Sequence, residues 1–263
     1  MKKTRKYMVI IKISLANAVA YRWTALSRLC FYVLVVYVLM SLWRAIYQES
    51  GLHGYSYGQI VWYLVMTEFI TLSSGSAVYR QMNEDVKSGA IAYLLGRPVH
   101  YVFYQLSDSI GQILFNALCF GILALILGFA FAGPLPGFQL TGLPFIILSV
   151  VLGFTLNCFI MALIGLSAFV FEDNFALYLI YQKLTFMLGM LLPVEFLPAW
   201  LQPVVKSMPF SYVHWAPAKI FVDFSPELCL ELIPRQAAWA AFAAGLVFIV
   251  YSLSVRRLQV NGG

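Results

Sequence analysis

The stretch IGQILFNALCFGILALILGFAFA, Ile110 to Ala132, carries no charged side chain along its whole length. A helix needs about 20 apolar residues to cross the hydrocarbon core of a bilayer, so this run reads as a membrane span. Working outward, five more long apolar segments follow the same rule: Thr24 to Ile46, Tyr57 to Val78, Pro144 to Phe171, Phe175 to Leu192 and Ala237 to Ser254. Hydrocarbon offers no water to backbone polar groups, so each segment is expected to be helical. Composition agrees: 62% of the 263 residues are hydrophobic and 11% charged, with a mean hydropathy of +0.83, whereas soluble domains carry about 25% charged residues. The expected fold class is an all-α integral membrane protein, one transmembrane domain over residues 1–263 with six transmembrane helices.

Basic residues near the ends of spans mark the cytoplasmic side. With the N-terminus inside, Lys2, Lys3, Arg5, Lys6, Lys12, Arg22, Arg80, Lys87, Arg97, Arg256 and Arg257 are cytoplasmic, and Arg44, Lys206, Lys219 and Arg235 are external. The expected topology is N-in and C-in. It accounts for the net charge of +6 without nucleic acid as a partner. Lys12 and Arg22 interrupt any signal-peptide core, so Lys3 to Arg22 is expected to be a retained interfacial helix against anionic lipid headgroups.

Just before the opening span, on the cytoplasmic side, lies EDVKSGAIAYLLGRPV, Glu84 to Val99. Its apolar run is too short to span. Asn83 is suited to cap a helix, Glu84 and Asp85 to its positive end, Gly96 to its end, and Pro98 forbids continuation. One short helix is expected, with Val86, Ala90, Tyr93 and Leu94 as its apolar strip. It could rest on the membrane or fill a groove on a partner. On the opposite side, Leu191 to Phe221 holds five prolines among short apolar and aromatic pieces. Such a segment reads as helices that dip inward and return, or as an aromatic belt on the outer leaflet.

Several chemistries are disfavoured. Cys30, Cys119 and Cys158 fall within spans and Cys229 is expected alone in an external loop, which gives no disulfide framework. His53, His100 and His214 are far apart and no metal-binding spacing occurs. The sequence contains no G-x-x-x-x-G-K-[ST] nucleotide-binding loop, so ATP hydrolysis by this chain is not expected. Three ionisable residues lie inside spans. Arg28 is near enough to the inner surface to snorkel, whereas Glu68 and Lys183 are deeper and are candidates for an intramembrane pair or for lining a pathway.

The order of six spans, the cytoplasmic SGAIAYLLGRPV segment and the external LP..FLP.WL...PF pattern (Leu192-Pro193, Phe196 to Pro198, Trp200-Leu201, Pro209-Phe210) resembles the ABC-2 family of ABC-transporter permeases over nearly the whole chain. The likeness is greatest to permeases encoded apart from their ATPase. It implies a membrane subunit working as a permease dimer, of one chain or two related chains, energised by separate ABC ATPase subunits that hold ATP and Mg. Export across a prokaryotic cytoplasmic (inner) membrane is implied too. The resemblance makes the segment around Asn83, Glu84, Asp85, Lys87, Tyr93 and Arg97 a coupling helix seated in the ATPase, and Glu172 and Asp173 a second contact. It makes the segment bearing Pro193, Glu195, Pro198, Trp200, Pro209 and Phe210 the family's external re-entrant helices. The N-terminal helix becomes an interfacial elbow. Two other classes compete: a secondary transporter, which should show repeat halves, and a passive membrane assembly subunit. An intramembrane enzyme would need clustered ionisable groups at depth, which the spans lack.

Overall fold

The structure is a computed structural model that describes residues 2–50, 54–171 and 174–261. Helices α1 (Lys2–Ala20), α2 (Arg22–Ser50), α3 (Tyr57–Ser74), α4 (Ala77–Lys87) and α5 (Ala90–Leu95) precede the long α6 (Tyr101–Ala132). Then come α7 (Leu143–Leu166), α8 (Phe175–Thr185), α9 (Gln202–Lys206), α10 (Ser211–Val222) and α11 (Pro226–Asn261). No strand occurs among the described residues.

Two helices form the centre. Every residue of α3 from Ile60 to Val65 is buried, and so is every residue of α10 from Ser211 to Ala218. Helices α2, α6 and α7 surround α3, while α7 and α11 flank α10. On α6, Phe120, Ala124 and Leu127 face inward, whereas Leu118, Ile122, Leu125 and Phe129 are exposed. The exposed set recurs at helical spacing and is wholly apolar, a face fit for lipid and not for water.

Among the described residues, five helical stretches are long and apolar enough to cross a membrane: Leu26–Gln48, Tyr57–Lys87, Tyr101–Ala132, Leu140–Phe169 and Pro226–Arg256. The expected fifth span is a shorter helix, Phe175–Met190. At 1.5 Å per residue it reaches about 24 Å, less than the roughly 30 Å of hydrocarbon, and its last turn widens into a π turn, Phe186–Met190. The third and last spans are longer than their apolar cores. Helix α6 begins at Tyr101 because His100 is extended and α1 packs along the added turns. Helix α11 begins at Pro226, so Cys229 is not in a loop but buried on this helix.

The expected single helix after the second span is two helices. Ser88 and Gly89 separate α4 from α5, with Gly89 at φ +73, a left-handed conformation that costs glycine little. Asn83 is therefore not a cap but an interior residue of α4, and Glu84 and Asp85 lie toward its C-terminal end. The dipole argument for those carboxylates is reversed. Their role comes from tertiary contacts.

The N-terminal helix, expected to rest on lipid headgroups, packs along α6. Tyr7 meets Phe103 with ring centroids 5.8 Å apart, Ser14 Oγ donates to the Asp108 carbonyl at 2.6 Å, and Lys6 donates to the Pro98 carbonyl. A Cβ at Gly111 would lie 2.6 Å from both the Ile11 carbonyl oxygen and the Ser14 Cβ. Only the missing side chain lets α1 and α6 cross this closely.

Candidate functional site

Helix α3 stops inside the protein. Gly75 turns the chain at φ +56, ψ −165, and the last carbonyls of the helix lose their helical partners. Three neighbouring helices supply replacements. Arg28 of α2 donates to the Leu72 carbonyl, Asn116 of α6 donates to Ser73 at 3.4 Å, and Asn157 of α7 donates to Gly75 at 3.1 Å. Tyr181 of α8 donates in turn to Asn157 Oδ1 at 2.7 Å. A broken helix survives at membrane depth when protein groups satisfy its backbone, and here each donor comes from a different helix. Arg28 thus turns inward, stacked over Phe120 at 5.1 Å, and does not snorkel to the surface as expected.

Around this break lies a cavity of about 490 Å³. Its polar wall includes Arg28, Arg80, Asn157, Lys183 and His214, and its apolar wall includes Met161 and Phe186. Lys183 is exposed at its rim. Glu68 is buried on α3 and is not part of the wall. Among the described residues no ion pair joins Glu68 to Lys183, so the expected pairing is not built. The reason is angular. The face of α3 turned toward the π turn Phe186–Met190 is Tyr63, Thr67 and Thr71, which bond Gly189, Met190 and the Met190 sulfur, and Glu68 sits about 100° around the helix from Thr67.

Next along the chain, α4 and α5 form a bent arm. Asp85 is 5% exposed. It accepts from Tyr101 Oη at 2.9 Å and Gln105 Nε2 at 2.6 Å, both on α6, and from Gln81 Nε2 at 3.1 Å. Asp85 therefore points into the protein, contrary to the expectation that it faces a partner. Asn83 is also partly covered, with a buried Oδ1 that has no hydrogen-bond partner. Glu84, Lys87, Tyr93 and Arg97 are exposed, and the Arg97 guanidinium lies 4.9 Å over the Tyr93 ring. Tyr79 of α4 stacks on Tyr178 of α8 at 4.4 Å. Asn174 is buried and donates to the Ile164 carbonyl at 2.7 Å, which fixes the start of α8 against the end of α7. Glu172 and Asp173 lie outside the described residues.

At the far end the proline-rich segment folds inward. Phe210 packs in the same cluster as Tyr79 and Tyr181, while the end of α10 meets the start of α3 through Gln59 Nε2 and the Val222 carbonyl, 3.1 Å apart. Helix α10 therefore rises through about 18 Å beside α3. Pro193 opens this segment and Pro209 precedes its innermost turn, whereas Trp200 is 74% exposed near Pro198. Glu195 ties this end together: it accepts from Tyr55 Oη and Trp215 Nε1, each at 3.3 Å, with Lys219 Nζ at 3.9 Å. Gln236 of α11, fully buried, donates to the carbonyls of Ser149 and Tyr212 at 2.8 Å and accepts from Ser149 Oγ.

The groups that organise these sites, Asn157, Gln105, Gln236 and His214, were missed because attention to charge passes over neutral polar residues. Their signal was present in the sequence as isolated amides and a histidine in apolar runs, where each must find a partner or face a cavity. The family model described as ABC-2 family transporter protein matches residues 31–262 of the chain. No curated protein matches it.

Proposed function

Because this chain belongs to the ABC-2 family of transporter proteins, a membrane-spanning permease subunit, we propose that it forms one half of a translocation pathway driven by separate ABC ATPase subunits. The N-terminus, α4 and α5 face the cytoplasm and the Glu195 cluster faces outward, in an orientation supported by the basic residues of the flanks. Phe175–Met190, with the inward fold of α9 and α10 behind it, completes a sixth span. A prokaryotic inner membrane and an exporting direction accord with the family, and a second permease, the same chain or a related one, completes the path.

One observation carries this reading. The α4–α5 arm exposes Glu84, Lys87, Tyr93 and Arg97 while Asp85 and Tyr79 anchor its back to α6 and α8. An ATPase pressing on that face would push a rigid lever, not a loose loop. Lever motion would act on the break at Gly75, where α3, α7 and α8 share hydrogen bonds. ATP and Mg are bound by the partner, and this chain supplies the coupling surface and the path.

The test is purification of the tagged full chain from its native membrane. Mg-dependent ATPase activity should co-elute in a fixed ratio to the chain, and Tyr93→Ala together with Glu84→Lys should strip that activity while the chain remains inserted. A chain that purifies without any ATPase and drives transport from an ion gradient would instead be a secondary carrier.

A further inference from the structure

The cavity at the α3 break has a chemistry that permease function alone does not specify. Arg28, Arg80 and Lys183 converge on it from α2, α4 and α8, and no carboxylate lies in its wall among the described residues. Arg80 borders a neighbouring cavity with Glu84 and Asp108, whereas Lys183 has no acidic neighbour in the wall. Helix α4 starts at the same place, with Ser76 at its cap position making no side-chain capping bond. The unpaired N–H groups and dipole of a helix start favour an anion.

A second, independent feature points to a ligand. His214 is 3% exposed and lines the cavity, and neither ring nitrogen has a hydrogen-bond partner. A buried polar group without a partner is costly. A group delivered to the cavity would relieve that cost. Leu72, Met161, Phe186 and Met190 add apolar surface to the same wall, so the space suits a charged head joined to an apolar body. Arg80, Gln182, Lys183 and Phe186 are the exposed members of the lining, which places the opening on their side.

We infer that this cavity binds the phosphate-like anionic group of the transported molecule, with Arg80 and Lys183 receiving it at the rim and His214 donating a hydrogen bond at the inner wall. The inference rests on the permease reading only in calling the occupant transported; the binding site itself needs no ATPase. Arg28 is part of the positive field but is committed to the Leu72 carbonyl. The discriminating charges are therefore Arg80 and Lys183, which make no ion pair among the described residues. The anionic group can belong to an amphiphile or to a free anion, and the two differ in whether the apolar wall is used.

The full chain, purified in detergent without an ATPase, is titrated calorimetrically with dihexanoyl phosphatidic acid, dihexanoyl phosphatidylcholine and inorganic phosphate. Phosphatidic acid should bind at least about tenfold more tightly than phosphatidylcholine, since its phosphomonoester brings a net negative charge to Arg80 and Lys183, whereas the choline cation cancels the charge of the phosphodiester and would meet the same two cations with repulsion. The Arg80→Gln, Lys183→Gln double variant should lose that preference, and an Arg80→Lys, Lys183→Arg variant should keep it. Inorganic phosphate that displaces the lipid at similar concentration supports the site with a free anion as its occupant. Phosphate that does not displace it supports the amphiphile. Equal binding of the two lipids by the parental chain overturns the inference, and so does an unchanged preference in a folded double variant. If the double variant does not fold, the parental preference together with the His214→Phe variant decides: retention of the full preference without the imidazole overturns the inner-wall role. None of these results bears on whether an ATPase co-purifies.

Discussion

Asp85 Oδ2 lies 2.6 Å from Gln105 Nε2 and 2.9 Å from Tyr101 Oη, so the carboxylate next to exposed Glu84 is an internal joint between α4 and α6. Adjacent acidic residues with the same charge have opposite duties. Hydrogen bonds to charged groups contribute about 1.5–3 kcal/mol each. Asp85→Ala, which leaves two buried donors without a partner, should destabilise the protein by on the order of 2–3 kcal/mol. Glu84→Lys should melt with the parental protein and weaken only ATPase association. Thermal unfolding in detergent, paired with co-elution of ATPase activity, separates the two; equal melting of both variants would show that Asp85 is not a joint.

Gly75 sits at φ +56, ψ −165, a region closed to other residues at a cost of about 1–3 kcal/mol. Gly75→Ala should lower stability by about that amount and disturb the cavity through Asn157. Gly245→Ala is the control, since a Cβ there meets nothing within 4 Å. It should be neutral or slightly stabilising. Comparable losses from both substitutions would remove the special status of the break.

The α1–α6 crossing depends on Gly111, where a Cβ would press on the Ile11 backbone. In a background without native cysteines, Tyr7→Cys and Phe103→Cys should be joined by a short bismaleimide cross-linker, because the parental rings meet with centroids 5.8 Å apart and both positions therefore face the α1–α6 seam. Adding Gly111→Leu should abolish most of this cross-linking by lifting α1 away. Undiminished cross-linking would mean that the helices slide past the obstruction.

Topology can be read by labelling. Trp200 and Tyr93 are both exposed, at 74% and 71%, but at opposite ends of the bundle. With a membrane-impermeant thiol reagent, Trp200→Cys should react in intact cells and Tyr93→Cys only after the membrane is opened. The reverse pattern would invert the orientation and place the α4–α5 arm outside.

The sequence alone determined the class of molecule, the number of long apolar segments to within one short helix, and the existence of two segments punctuated by glycine or proline, at Glu84 to Val99 and Leu191 to Phe221. Those are properties of local chemistry: uncharged length suffices for a span, and proline or glycine suffices to end a helix. It also showed the glycine at position 89, but the boundary there was misplaced because Asn83, Glu84 and Asp85 have the composition of a helix start while α4 was already under way from Ala77. Tertiary structure decided which polar groups meet. Arg28 reaches Leu72 across 44 positions of sequence and Gln236 reaches Ser149 across 87. Whether Glu68 faces Lys183 depends on a rotation of about 100° per residue around α3 and on which neighbour stands there. Burial in hydrocarbon makes unpaired polar groups so costly that three helices must converge on the end of a fourth, and this convergence exists only in the folded chain.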